Sequence, residues 1–127
     1  HLTGDQIIRV VSSTLQRFAP PGGLAARYGG EEFLIILPNC PIEDASTKAE
    51  QIRSRIESLT EAHQARVSAS IGVAAVPTTS ATASDLIPLA DAALFRAKRA
   101  GKNRVEQLGA VPLLMTSQYG SLALPEA

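Results

Sequence analysis

Two adjacent carboxylates, Glu31 and Glu32, follow directly on two glycines, Gly29 and Gly30. Carboxylate oxygens are hard donors of the kind that hold a divalent cation. Glycines beside them leave the backbone bare, so a flat or phosphorylated ligand can come close. The spacing therefore points to a metal-dependent nucleotide site. Apolar runs at residues 24–26 and 33–37 flank the four residues. Two such runs joined by Gly-Gly predict a β-hairpin whose loop glycines take positive φ, which they do without a Cβ clash. A pair of solvated glutamates at an exposed turn is the plainer reading of the same residues, since Glu usually sits on surfaces.

The elements that must carry this hairpin are legible from periodicity. Residues 5–19 place Ile7, Ile8, Val11, Leu15 and Phe18 at helical spacing, with Arg9, Gln16 and Arg17 opposite. The run Pro20-Pro21-Gly22-Gly23 stops that helix. A long helix fits residues 43–61, with Ala45, Ala49, Ile52, Ile56 and Leu59 inward and Lys48, Glu50, Arg53, Arg55 and Glu57 on a solvated face. Alternation of Val67, Ala69, Ile71, Val73 and Ala75 predicts a strand over residues 66–76. Ser84 is the expected N-cap of a last helix that tolerates Pro88 in its first turn, buries Leu86, Leu89, Ala93, Leu94 and Ala97, and stops at Gly101. Residues 103–107 form a closing strand. This order implies an α+β fold, a mainly antiparallel central sheet with helices on its faces. Residues 109–127 contain Leu113, Leu114, Met115, Tyr119, Leu122 and Leu124, too apolar for an ordinary disordered tail, and are expected to pack as an appendage.

Composition narrows the function classes. With 12 basic and 12 acidic side chains the net charge is zero, so no global basic field exists to hold nucleic acid. Cys40 stands alone and cannot close an internal disulfide, which suits a reducing cytoplasm. No apolar run is long enough to cross a bilayer, and no signal peptide is visible. The sequence begins at His1 rather than Met, so it is expected to be a piece of a longer protein whose sensory or membrane-tethering region lies upstream.

The stretch Arg27-Tyr28-Gly29-Gly30-Glu31-Glu32-Phe33 resembles the signature of the GGDEF family, the diguanylate cyclases, in its Gly-Gly-Glu-Glu-Phe form. Three further stretches resemble the same family in the same order. They are residues 1–5 (a His-x-x-Gly-Asp ending), residues 67–73 (a late core strand), and residues 90–98 with Gly101-Lys102-Asn103 (the closing helix and strand). The resemblance implies a family domain over residues 1–108 with a fold like nucleotidyl cyclases and polymerase palms, a ferredoxin-like core lacking its first strand. It also implies condensation of two GTP into cyclic di-GMP by a face-to-face pair of domains, each with one GTP and Mg2+ or Mn2+.

Site roles follow from the same resemblance. Glu31 is the expected metal ligand and candidate base for a 3′-hydroxyl, and Glu32 the adjacent catalytic and metal-binding carboxylate. Gly29 and Gly30 leave room for the nucleotide. Asp5 matches the guanine-reading position, where a carboxylate accepts from the base's N1 and N2 donors; a first-turn acid favoured by the helix dipole is the alternative. His1 matches a nucleotide contact. Lys98 and Lys102 match triphosphate contacts and, four apart, would share a face of a continuous helix. A basic helix end complementing its dipole accounts for them almost as well. Arg27 is a candidate phosphate or product contact, or a surface residue.

The sequence departs from the family in two places. Residues 20–23 lack the Arg-x-x-Asp of the product-inhibition site, so feedback through that site is expected to be absent. The opening strand, with its metal-sharing aspartate and guanine-holding asparagine, has no counterpart here, so this stretch alone is expected to make little or no product. Two competing readings are a non-catalytic GGDEF module that binds GTP or relays a signal by contact, and a purely structural α+β domain.

Overall fold

Thr3 starts the first helix by reciprocal capping. Its side chain accepts from the Gln6 N–H at 3.3 Å while the Gln6 side chain accepts from the Thr3 N–H at 2.8 Å, so two otherwise orphaned donors are satisfied. The computed structural model describes residues 3–79 and 82–108. Helix α1 spans Gly4–Phe18 and leads through the proline–glycine loop into strands β1 (Leu24–Gly29) and β2 (Glu32–Ile36). The long helix α2 (Ile42–Ala62) follows, then β3 (Ile71–Val73), a 3-10 turn (Ala83–Asp85), α3 (Leu86–Arg99) and β4 (Val105–Gln107). The α+β class expected from the periodicities is the class adopted. His1 and the expected appendage at 109–127 lie outside the described residues.

Among the described residues the strands make two ladders. β1 and β2 pair antiparallel from Leu24↔Ile36 to Gly29↔Glu32, and β3 pairs parallel with β4 from Ile71↔Val105 to Val73↔Gln107. α2 supplies the shared floor. Its buried stripe Ile42, Ala45, Ala49, Ile52, Ile56 and Thr60 recurs at three- and four-residue steps, the spacing that keeps one helical face turned inward. Ile42, Ala45 and Ala49 pack with Val73 and Ala75, while Ile52 and Ile56 pack with Leu15. Ile71 touches both clusters and joins them. Thr60, fully buried, sits in place of the expected Leu59, its hydroxyl within 2.7 Å of the Val67 carbonyl.

β3 lies hard against α3. A Cβ added to Gly72 would meet the Ala90 carbonyl oxygen at 2.1 Å and the Leu94 nitrogen at 2.3 Å. Only a residue without a side chain fits there. Ala92, Ala93 and Ala97 are the buried positions of α3, rather than the larger Leu86, Leu89 and Leu94. Small residues are what so close a helix–strand contact admits.

Several local expectations are corrected. The expected strand at 66–76 shrinks to three residues, because pairing with β4 exists only where Val105–Gln107 lies alongside. Ser84 is inside the 3-10 turn, and Asp85 precedes α3 without a side-chain cap bond. The hairpin loop residues are Gly30 and Glu31 rather than the two glycines, because a bulge between Arg27 and Gly29 slips the register by one. Positive φ occurs at Gly22 and Gly101, not at Gly29 or Gly30. Lys98 and Lys102 do not share a helical face, since α3 ends at Arg99 and Lys102 follows it at φ 63°.

Candidate functional site

The hairpin carries its acids at the very tip. Glu31 closes the turn and Glu32 opens β2, both exposed. Neither carboxylate makes a hydrogen bond or ion pair with another described residue, so both keep their oxygens free. Tyr28, the residue left over in the bulge, is 58% exposed. The turn is braced from within: the Arg27 Nε–H donates to the Gly30 carbonyl at 2.9 Å. That bond gives Arg27 a structural task, and its terminal guanidinium nitrogens have no other partner among the described residues.

Gly29 and Gly30 need their lack of a side chain for nothing within the fold. Neither has positive φ, and a Cβ on either would meet no atom within 4 Å. The space over the tip is open, which is what approach of a ligand to the backbone requires.

Asp5 lies in the first turn of α1, exposed. Thr3, not Asp5, does the capping, so Asp5 retains its carboxylate oxygens for other use while still lying where the helix dipole favours an acid. α1 packs on α2 and on β1 and thereby fixes the Asp5 end relative to the hairpin. α3 makes its main contacts with β3 and β4, so Lys98 and Lys102 belong to the second ladder. Both lysines are exposed. The hairpin acids thus stand on the first ladder, and the lysines on α3 and the turn that leads into the second. Among the described residues no group of three or more His, Cys, Asp or Glu side chains gathers to hold a metal. A groove of about 310 Å³ lies between α1 and α2, lined by Arg9, Arg17, Phe18 and Arg55 among others, and includes none of the candidate residues.

One polar cluster has no counterpart in the sequence pattern. On α2 the Arg53 guanidinium meets Glu50 at 2.6 Å and Glu57 at 3.5 Å. The hydrogen bond with Arg53 holds the Glu50 carboxyl below the usual glutamate range and pushes the Arg53 pKa up. Arg53 NH1 also donates to the Asn103 side-chain oxygen at 2.7 Å, and the Asn103 amide nitrogen donates to Glu57. The signal available in advance was Asn103 following Gly101-Lys102, since Asn tolerates a left-handed backbone better than most residues. Helical periodicity alone had put Arg53 and Glu57 on a solvated face.

Comparison with known proteins gives a consistent result. The family model described as the diguanylate cyclase GGDEF domain matches residues 1–104. The chain is 40% identical over 114 residues to the diguanylate cyclase VdcA of Vibrio cholerae, covering 85% of this chain and 33% of that protein. It is 37% identical over 105 residues to the diguanylate cyclase DgcM of Escherichia coli K12, covering 83% of this chain and 25% of that protein. An uncharacterized Bacillus subtilis protein, YhcK, is 38% identical over 109 residues, with 83% of this chain and 30% of the relative covered. The chain therefore spans about a quarter to a third of the length of these relatives. Among solved structures, it is similar to the GGDEF domain of DgcB from Caulobacter crescentus, crystallised in complex with c-di-GMP. The TM-score there is 0.64 at 32% identity, over 84% of this chain and 64% of that one.

Proposed function

The chain belongs to the diguanylate cyclase GGDEF family, and from that premise we propose that the protein carrying it joins two GTP molecules into cyclic di-GMP. Each 3′-hydroxyl attacks the α-phosphate of the other nucleotide, forming two P–O bonds and releasing two pyrophosphates. The observation that carries this reading is the hairpin tip. Its two carboxylates have no partner among the described residues, and its two glycines face open space that the fold does not use.

The tip fits a divalent cation by its donor chemistry. Mg2+ is commonly held by one or two carboxylates together with substrate phosphates and water, and Glu31 and Glu32 supply that number. Such an ion, Mg2+ or Mn2+, neutralises charge on the phosphoryl oxygens when bound. Glu31 is in addition the group that takes the proton from the 3′-hydroxyl. Asp5 accepts from the guanine N1–H and N2–H, a pair of donors adenine lacks. Lys98 and Lys102 lend positive charge to the triphosphate as point charges, without the bidentate fork of an arginine. Bare backbone at Gly29 and Gly30 admits the nucleotide.

The product has two-fold symmetry, so the working unit in this reading is two domains face to face, each with one GTP. The domain comprises residues 1–108, with 109–127 an appendage. A specific observation keeps a second reading in play. The hairpin acids stand on the first ladder and the lysines on α3 and the turn after it, with no three-acid cluster among the described residues, as a GTP-binding or contact-relaying module would also have. The full-length protein, incubated with GTP and Mg2+ and assayed for cyclic di-GMP, separates the two. Product formation abolished by Glu31→Gln supports the enzyme; GTP binding without product supports the relay module.

A further inference from the structure

The turn after α3 is held in an unfavourable backbone by side chains from another helix. Three successive residues have positive φ: Gly101 at 125°, Lys102 at 63° and Asn103 at 47°. Glycine adopts this region freely, but lysine is disfavoured there, and asparagine less so, unless the surroundings determine it. The surroundings do so on every side. The Lys102 N–H donates to the Ala97 carbonyl at 2.9 Å, closing the end of α3. The Asn103 N–H donates to the Ser70 hydroxyl at 3.2 Å, just before β3. The Asn103 side-chain amide is engaged at both ends, its oxygen by the Arg53 cation at 2.7 Å and its nitrogen by the Glu57 anion.

These charges are placed to restrain. The Arg53 side chain is only 16% exposed and is itself anchored by Glu50. Hydrogen bonds with an ionised partner are roughly twice as strong as neutral ones. The amide therefore cannot rotate without breaking two of them. Lys102, by contrast, is exposed and its ammonium has no partner among the described residues. The network immobilises the residue beside the lysine and leaves the lysine itself available.

We propose that Arg53 and Glu57 of α2 are positioning residues for the Gly101–Asn103 turn, fixing the backbone from which the Lys102 side chain reaches the phosphates of a bound nucleoside triphosphate. The proposal rests on the reading of Lys102 as a phosphate contact. It links the solvated-looking face of α2 to substrate affinity: a flexible lysine must be ordered on binding, and a lysine on a pre-fixed turn loses less freedom.

The test uses the full-length protein, with KM and kcat for GTP measured at saturating Mg2+. Arg53→Met removes the donors while keeping an unbranched apolar stem. It is expected to raise KM about 5- to 10-fold with little change in kcat, the size of coupling usual for residues in one network. Glu57→Gln retains an acceptor for the Asn103 amide and is expected to stay within about 2-fold of the parent KM. The double variant Arg53→Met/Lys102→Met is expected to be no worse than Lys102→Met alone. Losses that multiply in the double variant, or an Arg53→Met protein with a lowered Tm and unchanged KM, overturn the positioning role. If Lys102→Met leaves KM unchanged, the reading of Lys102 falls and this proposal falls with it. An effect of Lys102→Met without one of Arg53→Met sinks the positioning role alone.

Discussion

The hairpin tip and the turn after α3 are both short, exposed and rich in glycine and charge, yet they are built on opposite principles. At the tip the fold makes no demand on the side-chain positions of Gly29, Gly30, Glu31 or Glu32: no positive φ, nothing within 4 Å of a Cβ at either glycine, no partner for either carboxylate among the described residues. At the turn nearly everything is demanded, from the φ of 125° at Gly101 to the two-sided grip on the Asn103 amide. A residue the fold does not constrain is one whose identity a bound ligand is free to set. A residue the fold holds tightly can still serve binding, but only through the neighbour it presents.

That contrast can be broken experimentally, beginning at the tip. Replacing Glu31 and Glu32 together by Gln in the full-length protein is expected to lower the rate of cyclic di-GMP formation by about 1,000-fold or more, a loss on the scale of removing preorganised charge stabilisation. The same variant is expected to keep its Tm within about 2 °C, since no described contact is lost. A large fall in Tm would mean that the acids are structural after all, and would erase the distinction between the two loops.

Glycine substitutions sharpen it next. Gly72→Ala is expected to destabilise the domain by about 3 kcal/mol, at the upper end of overpacking costs, because the three atoms it would strike belong to the α3 backbone and cannot step aside. Gly29→Ala and Gly30→Ala are expected to leave the denaturation midpoint unchanged while weakening GTP binding. Urea denaturation of the three variants side by side reads the first expectation, and calorimetric titration with a non-hydrolysable GTP analogue reads the second.

A smaller effect is expected at the turn. Asn103→Ala removes the amide and leaves a non-glycine residue at φ 47°, for a loss of about 2 kcal/mol. Asn103→Gly relieves the backbone without restoring the amide, so it should recover part of that loss and none of the affinity for nucleotide. Full recovery of both would reduce the network to a matter of backbone φ.

The smallest effect concerns Glu50. Arg53 lowers its pKa in the folded chain from the ordinary value of 4.5, so the folded state binds that proton less readily than the unfolded one. The stabilisation is complete above the ordinary glutamate pKa and is lost as the pH falls through the lowered folded value. With the Glu50 side chain 54% exposed, solvent screening limits it to a few tenths of a kcal/mol, roughly 0.3–0.5 for such a helical pair. Stability of Glu50→Gln relative to the parent chain should show this gap at pH 7 and lose it progressively as the pH falls below the ordinary glutamate value. A gap that persists in acid would remove the ion pair as its cause.

Helices were the most legible part of the chain, since a buried stripe such as Ala45, Ala49, Ile52 and Ile56 is written directly in the spacing. The hairpin was legible as well, through two apolar runs and a motif. Its register was not: the bulge after Arg27 moved the loop to Gly30 and Glu31, and continuous apolar runs, lacking alternation, do not mark which residues pair. The expected strand at 66–76 failed for a related reason. Alternation reports which face is buried, whereas strand length depends on how much partner lies alongside, and β4 offers only three residues.

By itself, then, the order of residues determined the α+β class, the order of the elements and the family, because periodicity and motif spacing are local properties that survive without coordinates. Folding in three dimensions decided the rest. Gly72 became indispensable only once α3 came to lie against it, the tip glycines became dispensable to the fold only once nothing did, and Arg53 left its apparent solvated face for an amide 50 residues further along the chain. Contacts between residues so far apart depend on how helices and strands pack, and no local pattern records that.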